Sequence, residues 1–82
     1  MKEEILLLKG KLANYKTEAR NLELEASGLI SMLRISLNPY EEDVSRLKVE
    51  EILNHATRLH QVIQRLRQVQ TKIQQIEEDL HG

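Results

Sequence analysis

The segment that divides this chain is Ser36-Leu37-Asn38-Pro39-Tyr40-Glu41-Glu42-Asp43. Pro39 disfavours helical geometry at Asn38, so a helix arriving from the N-terminal side ends here. Asn38 is a favoured N-cap, and proline is tolerated at the first helical position because that position needs no N–H donor. Glu41 stands three residues after Asn38, where the acid of a capping box belongs. The segment therefore predicts that one helix ends and a second begins within a few residues.

These signals predict helix 1 over about residues 3–37, a turn at 38–39 and helix 2 over about residues 39–80. Residues 1–82 are accordingly expected to form one all-α domain, a single helical hairpin. A β-sandwich or barrel is excluded, because such folds need repeated turn residues between β-branched or aromatic runs.

Helix 1 carries apolar residues at alternating spacings of three and four, the pattern of a coiled-coil seam. Glycine interrupts this helix once in its second half, and Gly28 is a candidate for a kink or a close helix approach. The predicted seam of helix 1 is Ile5, Leu8, Leu12, Tyr15, Ala19, Leu22, Ala26, Leu29 and Leu33.

Helix 2 has a seam of its own, with two successive spacings of three around Leu66. Such a slip is a stammer, which predicts local overwinding of the supercoil. The predicted seam of helix 2 is Val49, Ile52, Ala56, Leu59, Ile63, Leu66, Val69, Ile73, Ile76 and Leu80.

The two seams do not share one register, because helix 1's core spacing continued past Pro39 falls mostly on polar residues. This favours an antiparallel two-helix coiled-coil hairpin over a single continuous rod. A tight reversal at residues 38–39 places Ala19 opposite Leu59, and Ala26 opposite Ile52. Small residues then face large ones, as interdigitated packing prefers.

Composition excludes several classes of protein. The chain has no cysteine, so disulfide scaffolds and cysteine zinc sites are ruled out. A formal net charge of −1 gives no global attraction to nucleic acid or anionic lipid. The early apolar run Ile5-Leu6-Leu7-Leu8 is shorter than the about 7 residues of a signal-peptide core and the about 20 of a membrane span. A cytoplasmic protein without a membrane segment is expected.

A two-helix hairpin shields each helix on one side only, so a partner is expected. A homodimer that forms a four-helix bundle is the favoured arrangement, and burial by another helical protein is the alternative. The candidate surface for self-association or partner binding flanks the seams and consists of Leu24, Ile30, Met32, Ile35, Leu53 and Val62.

Catalytic and metal sites are not expected, and no cofactor or small-molecule substrate is predicted. Only Ser27 or Ser31 is placed to approach His55, and a narrow hairpin offers no pocket of the size that ligands need. Glu51 and His55 share a helix face, but the Glu-x-x-His pairs of di-metal bundles do not occur.

The longest stretch without an acid lies in helix 2, between Glu51 and Glu77, and it contains all six glutamines. Side chains of this kind contact phosphates and base edges, although stacking aromatics are missing here. The candidate nucleic-acid face within residues 58–75 carries Arg58, Arg65, Arg67 and Lys72.

Two functions follow from these patterns. The favoured one is a non-enzymatic protein–protein interaction or assembly module built on the hairpin. The alternative is a small RNA- or DNA-binding regulator that uses the Arg/Gln-rich face of helix 2.

Overall fold

The computed structural model describes residues 2–81, which form two long helices joined by an irregular loop. Helix α1 spans Lys2–Ser36 and helix α2 spans Val49–His81, with one turn of 3-10 helix at Val44–Arg46 between them. No strand occurs within these residues. The all-α prediction is therefore confirmed, and α1 agrees with it to one residue at each end.

The two helices run antiparallel and contact each other along a rod of 64 × 17 × 14 Å. An ion pair between Glu25 and Arg58 joins them in the half nearer the loop, and one between Lys16 and Glu77 joins them nearer the open end. The predicted hairpin is thus observed, with a single layer of contact between α1 and α2.

The start of α2 differs from the prediction, since the helix begins at Val49 and not at Pro39. The side chain of Asn38 does accept a backbone hydrogen bond, but from Tyr40 N at 3.0 Å. Glu41 N donates to the Asn38 carbonyl at 3.2 Å, which closes a turn and not a helix. The predicted capping box is therefore wrong: Asn38 forms an Asx turn, a local arrangement that competes with helix.

Two further side chains keep the segment before α2 out of the α conformation. Glu41 Oε1 accepts a hydrogen bond from Asp43 N at 3.1 Å. Asp43 Oδ1 accepts from both the backbone N and the hydroxyl of Ser45, and so caps the 3-10 turn. The first hydrogen bond of α2 runs from Ile52 N to the Lys48 carbonyl. Residues 37–48 are consequently a loop.

The longer loop changes the alignment of the helices. Ala19 packs against Leu66 and Val69, which lie seven and ten positions beyond the predicted partner Leu59. The prediction of a tight reversal at residues 38–39 is therefore wrong. The loop includes residues that were predicted to begin α2. Each of these residues shifts the position of α2 that faces a given residue of α1 by one residue towards the C-terminus.

Candidate interaction surfaces

The seam between the helices is made of two small clusters of aliphatic residues. Ala19, Leu66 and Val69 form the first, and Ala26, Leu29 and Val62 form the second. Val62 and Val69 are the most deeply buried side chains, at 1% and 0% exposure. Tyr15 and Leu22 of the predicted α1 seam pack against these clusters, whereas Ile5 is largely exposed near the open end.

The seam of α2 is regular, and the predicted stammer is wrong. Its four buried residues, Val62, Leu66, Val69 and Ile76, are separated by four, three and seven positions, without a slip, and Ile63 and Glu77 are half-buried beside them. Val62 takes the inner position that the sequence pattern gave to Ile63, which is half-buried and packs against both clusters, and His55 takes the position given to Ala56, which is exposed. The regular seam of α2 is Ile52, His55, Leu59, Val62, Leu66, Val69, Ile73, Ile76 and Leu80.

The six residues of the predicted partner surface do not form one surface. Val62 is buried in the seam. Leu24 and Ile35 are exposed at 67% and 77%, and their spacing from Ala26 places them on the far side of α1. Leu53 lies nine positions from Val62, on the far side of α2. The remaining two residues, Met32 and Ile30, lie on opposite edges of the hairpin. Met32 lies on the edge that carries the Glu25–Arg58 ion pair, and Ile30 lies on the edge that carries the Lys16–Glu77 ion pair.

One edge of the hairpin is held by two arginine–glutamate pairs, and we call it the ion-pair edge (Glu18, Glu25, Arg58, Arg65). Arg65 donates from Nε and Nη2 to both carboxylate oxygens of Glu18, at 2.6 and 2.9 Å. Arg58 binds Glu25 in the same way, at 2.6 and 3.0 Å. These hydrogen bonds lower the pKa of both glutamates. Paired guanidinium and carboxylate forks of this kind fix geometry as well as charge.

The predicted nucleic-acid face is divided by these pairs. Arg58 and Arg65 are neutralised by acids of α1, so they are less available to phosphates. Arg67 and Lys72 form no ion pair among residues 2–81. Arg67 lies two positions from Arg65, so the two project from well-separated sides of α2. The four cations therefore do not share one continuous basic surface.

The opposite edge differs in chemistry, and we call it the groove edge (Lys16, Ile30, Leu37, Ile63, Glu77). Lys16 and Glu18 are two positions apart, which sets them about 200° apart around α1, yet both contact α2. Lys16 therefore marks the second edge, where its Nζ lies 3.8 Å from Glu77 Oε1. Towards the loop this edge becomes apolar, with a shallow groove lined by Ile30, Leu33, Arg34, Leu37 and Pro39.

The outer face of α1 (Leu6, Gly10, Leu24, Gly28, Ile35) turns away from α2. A Cβ atom placed on Gly10 or Gly28 meets nothing within 4 Å, so neither glycine serves a close approach inside the hairpin. The helix runs through Gly28 without interruption. The close helix approach considered for Gly28 does not occur between the two helices of one chain.

Neither Ser27 nor Ser31 forms a hydrogen bond with His55 among the residues that the structure describes. Ser27 and Ser31 are exposed, whereas His55 is half-buried in the seam. His55 Nδ1 is buried and has no hydrogen-bond partner. Within the described chain no cluster of three or more metal-ligating side chains occurs. The Glu25 carboxylate is bound by Arg58. Sequence reasoning missed His55 as a seam residue because Ala56 fitted the apolar pattern better.

Across residues 2–81, neither helix carries an apolar stretch of the length that a bilayer crossing requires.

Comparisons of the chain with models of protein families, with curated proteins and with solved structures find no match. No similarity therefore assigns a role to any of these residues, and the function is inferred from the surfaces of the hairpin.

Proposed function

We propose that this protein is a non-enzymatic assembly module of the cytoplasm, a helical hairpin that self-associates into a dimeric four-helix bundle. The observation that carries the proposal is the imbalance between exposed and buried apolar side chains. Among residues 2–81, seven hydrophobic residues are buried, two of them alanines, while twelve large hydrophobic residues are exposed. Exposed apolar surface of this extent on a small helical protein marks an interaction site.

The hairpin architecture supports the same proposal. Among residues 2–81 each long helix contacts one other long helix only, and large hydrophobic residues of both helices are exposed. A second pair of helices that packs against the first gives each helix a further neighbour, which is the arrangement of four-helix bundles. Closed two-fold dimers are the commonest way in which soluble proteins achieve this.

Concentration-dependent mass and stability test the proposal together. Sedimentation equilibrium or light scattering across micromolar concentrations is expected to give twice the monomer mass. The melting temperature, followed by circular dichroism, is expected to rise with protein concentration because association stabilises the folded chain. A well-folded monomer with concentration-independent melting contradicts the proposal. A chain that folds only with a second helical protein supports the alternative of a hetero-complex.

Nucleic-acid binding is the weaker proposal, since the Arg–Glu pairs occupy two of its four cations. Its remaining support is the run of glutamines in α2 and the two cations that form no ion pair among residues 2–81, Arg67 and Lys72. A gel shift at low salt with mixed RNA and DNA tests it. Binding that weakens with salt and is lost in an Arg65→Glu, Arg67→Glu variant supports this function. Absence of binding at about 50 mM salt removes it.

A further inference from the structure

The two edges of the hairpin differ in which charged residues of α1 and α2 face each other. This difference identifies the edge that a second copy can occupy. Because both helices have a regular seam, residues seven apart lie on nearly the same side. The observed ion pairs therefore fix, by steps of seven, which residues face each other along each edge.

On the ion-pair edge, facing residues carry charges of the same sign towards the open end of the hairpin. Glu18 faces Arg65 in the structure. One step of seven further along, Lys11 faces Lys72, and one more step brings Glu4 opposite Asp79. Like charges directly opposite each other repel. Lys11 and Lys72 are both exposed, and neither finds an ion-pair partner in the part of the chain that the structure describes.

On the groove edge every layer is compatible with its facing residue. Lys16 faces Glu77 in the structure. Steps of seven towards the loop place Glu23 opposite Gln70 and then Ile30 opposite Ile63. The apolar groove begins at Ile30 and continues to Leu37 and Pro39, which lie beyond the end of α1.

We propose that the groove edge is the self-association surface and that its occupant is a second copy of this chain. The two copies are related by a two-fold axis parallel to the long axis of the hairpin. This inference rests on the proposed function, self-association, and adds to it the surface and the geometry of the dimer.

Such an axis keeps the height of each residue along the rod and places α1 of one copy against α2 of the other. Each residue of α1 then lies opposite the same α2 residue, in the second copy, that it faces in its own chain. On the groove edge Ile30 meets Ile63 and Lys16 meets Glu77. The same operation on the ion-pair edge would gather four lysines in one layer and four acids in the next. Charge complementarity therefore selects the groove edge.

The size of the surface is sufficient for a stable dimer. A face 64 Å long and 17 Å wide has an area of about 1,000 Å², against ~800 Å² per partner in a standard interface. Ile30, at 39% exposure, and the more exposed Leu37 supply its apolar end, and Lys16 and Glu77 supply its polar end.

Cysteine cross-linking between two variants tests the geometry, because the natural chain has no cysteine. A Glu23→Cys variant is mixed with a Gln70→Cys variant and treated with a short bismaleimide. The matched control mixes Lys11→Cys with Lys72→Cys, two residues that are also exposed and lie on the ion-pair edge. The groove-edge mixture is expected to give cross-linked dimer, at least tenfold more than the control mixture.

A substitution pair tests the energetics. Ile30→Glu is expected to weaken dimerisation at least tenfold, and Leu24→Glu, on the outer face of α1, is expected to leave the dissociation constant unchanged. If Ile30→Glu does not fold by circular dichroism, Leu37→Glu replaces it, because Leu37 lies just beyond the end of α1.

The outcomes separate this inference from the proposed function. A dimer that cross-links through Lys11 and Lys72, or that is disrupted by Leu24→Glu and not by Ile30→Glu, overturns the groove-edge assignment and leaves self-association standing. A monomer at all concentrations overturns both.

Discussion

The Arg65 guanidinium binds the Glu18 carboxylate with two hydrogen bonds across 47 residues of sequence. Arg58 and Glu25 repeat the arrangement seven residues closer to the loop. Because the planar forks of arginine and carboxylate match in one orientation, the two pairs hold α1 and α2 in a single alignment. The same alignment brings Val62 and Val69 into the seam.

The two arginine–glutamate pairs make the stability of the hairpin depend on acid pH. Their hydrogen bonds lower the pKa of Glu18 and Glu25, so their contribution is present above the unfolded-state pKa of about 4.3 and is lost as the pH falls through the lower folded-state value. The wild-type melting temperature is expected to fall more steeply between about pH 5 and pH 3 than that of a Glu18→Gln, Glu25→Gln variant. Thermal melts across this range compare the two. Parallel curves would show that the pairs add nothing to stability.

The assignment of Val62 to the seam is tested by a matched pair of substitutions. Val62→Ala is expected to lower the free energy of unfolding by about 2 kcal/mol, because it removes two buried methyl groups and leaves a cavity. Val49→Ala makes the same chemical change at an exposed residue of α2 and is expected to change stability by less than about 0.5 kcal/mol. Urea denaturation gives both values. Equal effects would contradict the alignment.

His55 is expected to be a site where stability can be raised. Its Nδ1 is buried without a partner, and such an atom costs about 1–3 kcal/mol of desolvation. His55→Leu keeps a side chain of similar size in the seam and removes the unpaired atom, so it is expected to raise the unfolding midpoint. His60→Leu, at an exposed position of α2, is the control. A loss of stability in His55→Leu alone would indicate that the imidazole has a partner in the assembled protein.

The outer face of α1 offers an independent test of which surface is covered. Gly10→Ala and Gly28→Ala are each expected to stabilise the protein by about 0.5–1 kcal/mol, because glycine is unfavourable inside a helix and the new methyl group meets open space. Denaturation midpoints and the dissociation constant are measured together. Stabilisation without a change in dimerisation fits the groove-edge interface, and weakened dimerisation would place the second copy on the outer face.

Local signals in the sequence were enough to predict the two helices and the end of the first. Pro39 restricts Asn38, and α1 accordingly ends at Ser36. The seam of α1 was also predictable, because Ala19, Ala26 and Leu29 follow a heptad spacing and are all buried. Both features depend on residues that are close together in the chain.

The start of α2, the alignment of the helices and the composition of its seam were decided only by the tertiary structure. Hydrogen bonds of Asn38, Glu41 and Asp43 lengthen the loop. The sequence signals of a helix start do not distinguish these local hydrogen bonds from a capping box, because the same residue types form both. Adjacent apolar residues such as Val62 and Ile63 fit the spacing equally well. The side of α2 that meets α1 decides between them, because burial depends on the neighbouring helix as well as on local spacing.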